Sequence, residues 1–191
     1  VSSESFSIEN HPDRIRWNKR YEEEFDLFDK NPSEIVMQYY KIANIGKALD
    51  IACGLGRNSI FLAEKGFIVD AVDISDIALK NIKHKNIKTY QADLSDYKIE
   101  KESYDLIINI NFLERRLFPY IKDGLKKDGV LIFETFLEGS PQTSNKSYLL
   151  KKNELLHSFL SMQIIFYQEK EVITHKNEKA YKASLVAIKK C

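Results

Sequence analysis

Neither sign of charge dominates this chain: 29 basic residues stand against 28 acidic ones, a formal net charge of +1. That balance leaves no broad electrostatic footprint for nucleic acid or for an anionic membrane surface. Cysteine is scarce, with two in 191 residues: Cys53 lies in a glycine turn and Cys191 is the last residue. A disulfide framework is therefore not expected, and a reducing compartment fits. The four histidines are scattered without Cys–Cys or His–His ligand spacing, so no metal site is expected. The polar N-terminus offers no apolar segment for export or spanning, and no internal repeat or low-complexity tract stands out. These absences describe a cytoplasmic protein with no nucleic-acid or membrane partner, working on a small-molecule substrate as a monomer or homodimer.

What is present is an alternation of strands and helices from residue 47 onward, the pattern of an α/β fold with a mostly parallel sheet. The pattern predicts strands over 47–52, 67–72, 87–91, 104–110 and 130–136, and a last pair over 163–167 and 183–188. Helices are expected from Arg57 or Asn58 to just before Gly66, after a cap at Ser75 or Asp76, over 112–125 and around 154–160. Upstream, Trp17 to Glu22 reads as helical, and Ser33 is a candidate cap for a second helix. Residues 137–145 are the most turn-rich stretch. The connector 168–182 is polar and reads as a loop, too poor in apolar residues for a crossover helix, so the last two strands are expected to be antiparallel. The whole of 1–191 is read as one domain, with 1–45 an N-terminal helical lid and 46–191 the core.

The most telling stretch is Leu49-Asp50-Ile51-Ala52-Cys53-Gly54-Leu55-Gly56-Arg57-Asn58. A strand runs into a glycine turn and a helix, and the next strand ends on Asp73, about twenty residues past the glycines. Glycines let backbone approach a ligand, and an acid at that spacing binds ribose hydroxyls, so an adenosine-containing cofactor is expected. Two cofactors compete. A dinucleotide places its pyrophosphate at the helix N-terminus and favours a third glycine, a position occupied here by Ser59. Asp50 would also repel the diphosphate. S-adenosylmethionine reverses that sign, because its sulfonium and ammonium are cations that a carboxylate favours. Asp73 would then take the ribose through charge-assisted hydrogen bonds, with Ile74 against the adenine. Asp93 is placed to accept the adenine amino group, and the Leu94 amide to donate to the ring. Three acids thus fall at three successive strand ends, where ligands of open α/β sheets bind.

With these residues in view, the chain resembles a class I S-adenosylmethionine-dependent methyltransferase, and within that class the small tellurite-resistance and thiopurine methyltransferase-like group. The motif from Leu49 to Asn58 carries the resemblance, together with Trp17-Asn18-Lys19-Arg20-Tyr21, the run from Phe112 to Pro119, and Phe133-Glu134-Thr135-Phe136. It covers essentially the whole chain. One departure is Ala52, where many relatives have the first glycine. The resemblance implies a Rossmann-like three-layer sandwich on a seven-stranded sheet with its last strand antiparallel. It also implies that the segment containing Trp17, Arg20 and Tyr21 lies over the cofactor, where Trp17 and Tyr21 would face the sulfonium. Cys53, Gly54, Gly56, Arg57 and Asn58 fall in the cofactor turn. Asn109, ending the fourth strand, falls where relatives place groups near the methyl.

Methyl transfer needs an acceptor held in line, water excluded and, for some acceptors, a proton removed. Candidates near the mouth are His11, His157 and Arg115, the last resembling an arginine that faces the active site in thiopurine-type enzymes. Glu134 is a candidate for orienting a lid. Asn109-Ile110-Asn111-Phe112 lacks the proline pair that holds a planar nitrogen in adenine and glutamine methyltransferases. Cys53 lies on the cofactor turn rather than on a catalytic loop, which disfavours a covalent cysteine mechanism. The reading is methyl transfer to a thiol, hydroxyl, amine or chalcogen oxyanion, with the segment from Leu137 to Leu149 closing over the substrate. The alternatives are a nicotinamide-binding oxidoreductase and a non-catalytic S-adenosylmethionine-binding regulator.

Overall fold

Seven strands of the computed structural model join one sheet in the order β3-β2-β1-β4-β5-β7-β6. They are β1 (Lys47–Ile51), β2 (Ile68–Asp73), β3 (Ile87–Gln91), β4 (Tyr104–Ile110), β5 (Leu125–Phe136), β6 (Gln163–Ile173) and β7 (Lys179–Ile188). The structure describes residues 7–141, 143, 145–174 and 177–190. β1 to β5 are mutually parallel, and β7 runs antiparallel to both β5 and β6. The sequence-derived strand boundaries for β1 to β4 agree within a residue at either end.

Strand alternation assigns the core to two faces. Leu49, Ile51, Val72, Ile107, Leu131 and Phe133 meet α5 (Leu117–Gly124) and α6 (Glu154–Ser158). Ala48, Val69, Leu106, Ile108 and Ile132 meet α2 (Glu34–Tyr39) and α3 (Arg57–Glu64) on the other face. Among the described residues, α1 (Pro12–Glu23) packs against α4 (Asp76–Lys80). Phe118, Phe133 and Phe159 form a tilted and edge-on trio with centroids 5.2–6.0 Å apart. Burying each such ring contributes on the order of 2–3 kcal/mol. No helix among the described residues is long and apolar enough to cross a membrane.

Because β1 has β2 on one side and β4 on the other, the chain reverses its direction of winding between β1 and β4. In open α/β sheets, such a switch point opens a crevice at the carboxyl ends of the strands. Ile51, Asp73 and Asn109 all fall at that edge, with Ile51 paired to both Val72 and Asn109.

Five elements differ from the sequence reading. The helix expected over 112–125 begins only at Leu117. Asn111 adopts a left-handed φ of 59°, and the Asn109 side chain donates to the Phe112 carbonyl, so residues 112–116 are held in a turn. β5 starts at Leu125 rather than Val130 and absorbs the expected turn, with a register shift against β4 and Asp128 at φ 64°. β6 and β7 extend into the connector read as a loop, pairing as far as Ile173 and Lys179. That arm is mostly solvated, so its backbone ladder carries no apolar alternation that a sequence could display. His175 and Lys176 of that connector, Gln142 and Ser144 of the turn-rich stretch, and Cys191 lie outside the described residues. Finally, Ser33 precedes α2 but makes no side-chain cap bond. Instead its amide donates to Asn58 Oδ1 and its hydroxyl accepts from Asn58 Nδ2.

Candidate active site

The turn between β1 and α3 is built from left-handed residues: Ala52 at φ 55°, Gly54 at 55° and Gly56 at 79°. A Cβ on Gly56 would come 2.6 Å from the Ile82 side chain, and one on Gly54 would come 2.7 Å from the Tyr21 hydroxyl. Glycine is required at both for space as well as conformation. Ala52 takes the same conformation with a side chain, which costs about 1–2 kcal/mol.

Two buried carboxylates flank this turn. Asp50 lies on the α3 face, 2 % exposed, and accepts a hydrogen bond from the Ser59 hydroxyl at 2.6 Å. Burial pushes Asp50 up and Asp73 adds to the rise, while the Ser59 hydrogen bonds and Arg57 oppose it; the result is about 7. Asp73 accepts from the Gly54 amide at 2.8 Å and from the Ser75 amide at 2.9 Å. It thereby ties the glycine turn to the end of β2. Burial pushes it upward against those amide bonds. The Ile74 amide adds a third bond, and with about four acceptor directions on a carboxylate Asp73 keeps capacity for a ligand hydroxyl. Cys53 is buried and its thiol is pushed well up by desolvation and by Asp50 and Asp73, which makes it a poor nucleophile.

Asn109 ends this ring of polar groups. Its Nδ2 donates to the Phe112 carbonyl at 3.0 Å, which fixes the amide orientation. Its Oδ1 is buried and has no hydrogen-bond partner, alone among the buried side-chain polar atoms of the described residues. An unpaired buried acceptor costs about 1–3 kcal/mol, and native folds keep few of them.

The N-terminal segment lies across the same edge. Asp76 at the start of α4 accepts from Arg14 and Asn18 of α1, both at 2.9 Å, and the Ser75 hydroxyl donates to Asn18 Oδ1. Burial opposes ionisation of Asp76, but hydrogen bonds from Asn18, Lys80 and Arg14 prevail and hold it at about 2. Tyr21 is buried against Gly54, stacked on Trp17 at 5.7 Å and tilted against Phe28 at 4.7 Å. The Arg20 guanidinium lies 5.2 Å from the Trp17 ring and pairs with Glu24. Asp93, beyond β3, accepts from the Ser95 amide and from His11 Nε2 at 3.2 Å. His11 Nδ1 meanwhile caps α1 by accepting the Asp13 amide. Ile74 and Leu94 are both buried beside these acids in the chain.

Other expected site residues are engaged elsewhere. Arg57 binds Asp29 and the Asn31 carbonyl, and Asn58 binds Ser33, so both side chains fasten residues 29–33 to α3. Arg115, a catalytic candidate, forks onto Glu154 and onto the carbonyls of Ser147 and Leu149. It straps the end of the 137–149 segment to α6, helped by the pairing of Leu137 with Leu150. Its guanidinium is a structural clamp here. His157 sits exposed on α6 with no side-chain hydrogen bond or ion pair among the described residues, and His11 is occupied by Asp93. Glu134 binds Lys182 and Ser184 across β7. The sequence reading missed Ser59 as the partner of Asp50; the signal was its hydroxyl where a dinucleotide turn has its third glycine. An open groove of about 520 Å³ lies away from this turn, lined by Leu137, Glu138, Lys152 and Tyr181 among others.

Comparison with known proteins bears on this geometry. The family model described as "Tellurite resistance protein TehB" matches residues 14–183. A Haemophilus influenzae protein named "Probable S-adenosyl-L-methionine-dependent methyltransferase TehB" is 26% identical over 158 residues, covering 75% of this chain and 55% of that protein. The chain thus spans about half the length of the curated relatives it matches. The crystal structure of TehB from Haemophilus influenzae superposes with a TM-score of 0.73 at 22% identity, over 91% of this chain and 67% of that one. A phosphoethanolamine N-methyltransferase of Haemonchus contortus, solved with S-adenosylhomocysteine, gives a TM-score of 0.71 at 14% identity, over 97% of this chain and 60% of that one.

Proposed function

Because the chain belongs to the family of the tellurite resistance protein TehB, we propose that it binds S-adenosylmethionine at the carboxyl edge of β1, β2 and β4 and transfers its methyl group to a small-molecule nucleophile. The observation that carries the reading is Asn109 Oδ1, a buried acceptor without a donor at the switch point of the sheet. A ligand that brings an N–H or an ammonium to that oxygen removes the cost of leaving it unpaired. Asp50 favours the same positive end and opposes a diphosphate, which supports this cofactor over a nicotinamide dinucleotide.

The residues fit such a ligand in sign and in type. Asp73 would hold the ribose hydroxyls while keeping its bonds to Gly54 and Ser75. Ile74 would cover the adenine, with Asp93 accepting from its amino group and the Leu94 amide donating to its ring. Gly54 and Gly56 would give backbone access, beside Cys53. Trp17 and Tyr21, with Arg20 behind them, would exclude water and offer ring faces to a cation, each worth about 0.5–2 kcal/mol. When bound, S-adenosylmethionine supplies a methyl group already activated by positive sulfur. The chain's own part is then to orient the acceptor and keep the site dry. His11, which already donates to Asp93, lies at this edge; His157 and Arg115 carry no role in the reading. The proposal includes closure of the 137–149 segment over the substrate, a single domain over 1–191, a cytoplasmic location, and a monomer or homodimer.

Incubation with methyl-labelled S-adenosylmethionine and a panel of thiols, phenols, amines and oxyanions of selenium or tellurium tests this function. Transfer of label to one class confirms methyl transfer and names the acceptor. Tight cofactor binding with no transfer to any class favours a non-catalytic regulator, a reading supported by the engagement of Arg115 and the exposure of His157.

A further inference from the structure

A carboxylate removed from water stays ionised only where its surroundings replace the lost hydration. Asp50 is almost fully buried, and the charged groups that face it come from three elements. Asp73 at the end of β2 disfavours its charge, while Arg57 at the start of α3 favours it, and the thiol of Cys53 lies in the turn between. The side-chain hydrogen bond that favours the charge comes from Ser59, itself fully buried, whose Oγ sits 2.6 Å from Asp50 Oδ2. The Ser59 amide adds a second hydrogen bond. A donor this close to a carboxylate, with no water to compete, is a strong charge-assisted contact.

Building on the cofactor reading above, we propose that Ser59 is a positioning residue: its hydroxyl favours the carboxylate form of Asp50 beside the glycine turn and so makes the site selective for a cationic ligand end. Alanine or glycine at this position would leave Asp50 with the amide of residue 59 but without the hydroxyl donor. The acid would then take up a proton to lower the cost of its burial. Protonated Asp50 has no charge to offer an ammonium or sulfonium, and it no longer repels a diphosphate. Ser59 thus acts on ligand choice through Asp50, without touching the ligand. The position that a dinucleotide turn gives to glycine for close packing is used here to set the charge of the neighbouring strand.

The test follows the Asp50 carboxyl by nuclear magnetic resonance across pH in ligand-free protein labelled at aspartate, with Asp50→Asn to assign the signal. Ser59→Ala is expected to raise the Asp50 midpoint by about one to two pH units, the size of one hydrogen bond to a charged group. Ser59→Thr, which keeps the hydroxyl, should restore the wild-type midpoint. Calorimetry with S-adenosylhomocysteine, in two buffers of different ionisation enthalpy, should show more protons released on binding by Ser59→Ala than by wild type at pH 7.5. If Ser59→Ala does not fold, Ser59→Cys keeps the volume with a weaker donor, and its midpoint should still lie above wild type. A midpoint unchanged in the folded Ala or Cys variant, with S-adenosylhomocysteine bound normally, overturns the role of Ser59 alone. Shifted midpoints with no S-adenosylhomocysteine binding by wild type at any pH overturn the cofactor reading and the selectivity with it.

Discussion

β1 and β2 carry three buried acids, Asp50 and Asp73 beside the glycine turn and Asp70 on the opposite face, where Tyr104 and Lys47 pair with it, whereas the buried residues of β5 and β7 are apolar apart from Gly129, Thr135 and Ser184. The first pair of strands ends in a turn with a strained alanine and is covered by α1, which is tied down by polar contacts from Arg14, Asn18 and His11. The second pair packs Phe133 against Phe118 and Phe159, and its polar groups are matched across the sheet, as Glu134 is with Lys182 and Ser184. One region therefore holds charge where burial opposes it, and the other holds apolar surface where burial is favourable. The apolar residues of both regions stabilise the fold, and the acids beside the glycine turn use part of that stability to keep a ligand site poised.

The sharpest way to break this contrast is to weaken the apolar half. Phe159→Ala should destabilise the fold by about 3–5 kcal/mol in urea titration, while the folded variant keeps wild-type affinity for S-adenosylhomocysteine. A loss of affinity in the folded variant would mean that the two regions are not separate. The opposite change, in the charged half, is Asp50→Asn. Asp50 titrates at about 7 in the folded protein, above its unfolded value of about 3.9. A raised pKa gives stability that is full below the unfolded value and lost as pH rises through the folded one. The uncharged amide of the variant escapes that loss, so the variant should be more stable than wild type by about 2–4 kcal/mol at pH 8 and no more stable near pH 4. The same substitution should weaken S-adenosylhomocysteine binding, and urea midpoints at the two pH values check the first half of this expectation.

Asp73→Ala should weaken S-adenosylhomocysteine binding by about 1.5–3 kcal/mol, measured by calorimetry. It also leaves the Gly54 and Ser75 amides without their acceptor, so a smaller loss of stability should accompany it. Unchanged affinity would remove Asp73 from the ribose. The smallest effect is expected at Ala52, where glycine relieves the left-handed conformation but adds freedom to the unfolded chain. Ala52→Gly should raise stability by about 0.5–1 kcal/mol in thermal or urea unfolding.

The apolar runs of β1 to β4 and the acids at their ends were legible in the sequence, because burial on both faces and a strand-end position leave a local pattern. Ser59 was legible as a missing glycine, but its bond to Asp50 depends on which face α3 covers. The fastening of Arg14 and Asn18 to Asp76 spans about 60 residues of chain, and the Arg115 clamp on Glu154 spans 39. No periodicity records contacts of that range, so the sequence displays the chemistry of Arg115, Arg57 and Asn58 but not their partners. The β6–β7 arm was missed for a different reason: its pairing is carried by backbone, while its side chains alternate among charges.

Asp50, Asp73 and the unpaired Asn109 oxygen together form the proposed site for a cationic adenosine cofactor. Thermal unfolding with S-adenosylhomocysteine or with NADH, each at concentrations well above a micromolar affinity, tests it most directly. Tm should rise with S-adenosylhomocysteine and stay unchanged with NADH. A rise with NADH alone would contradict it.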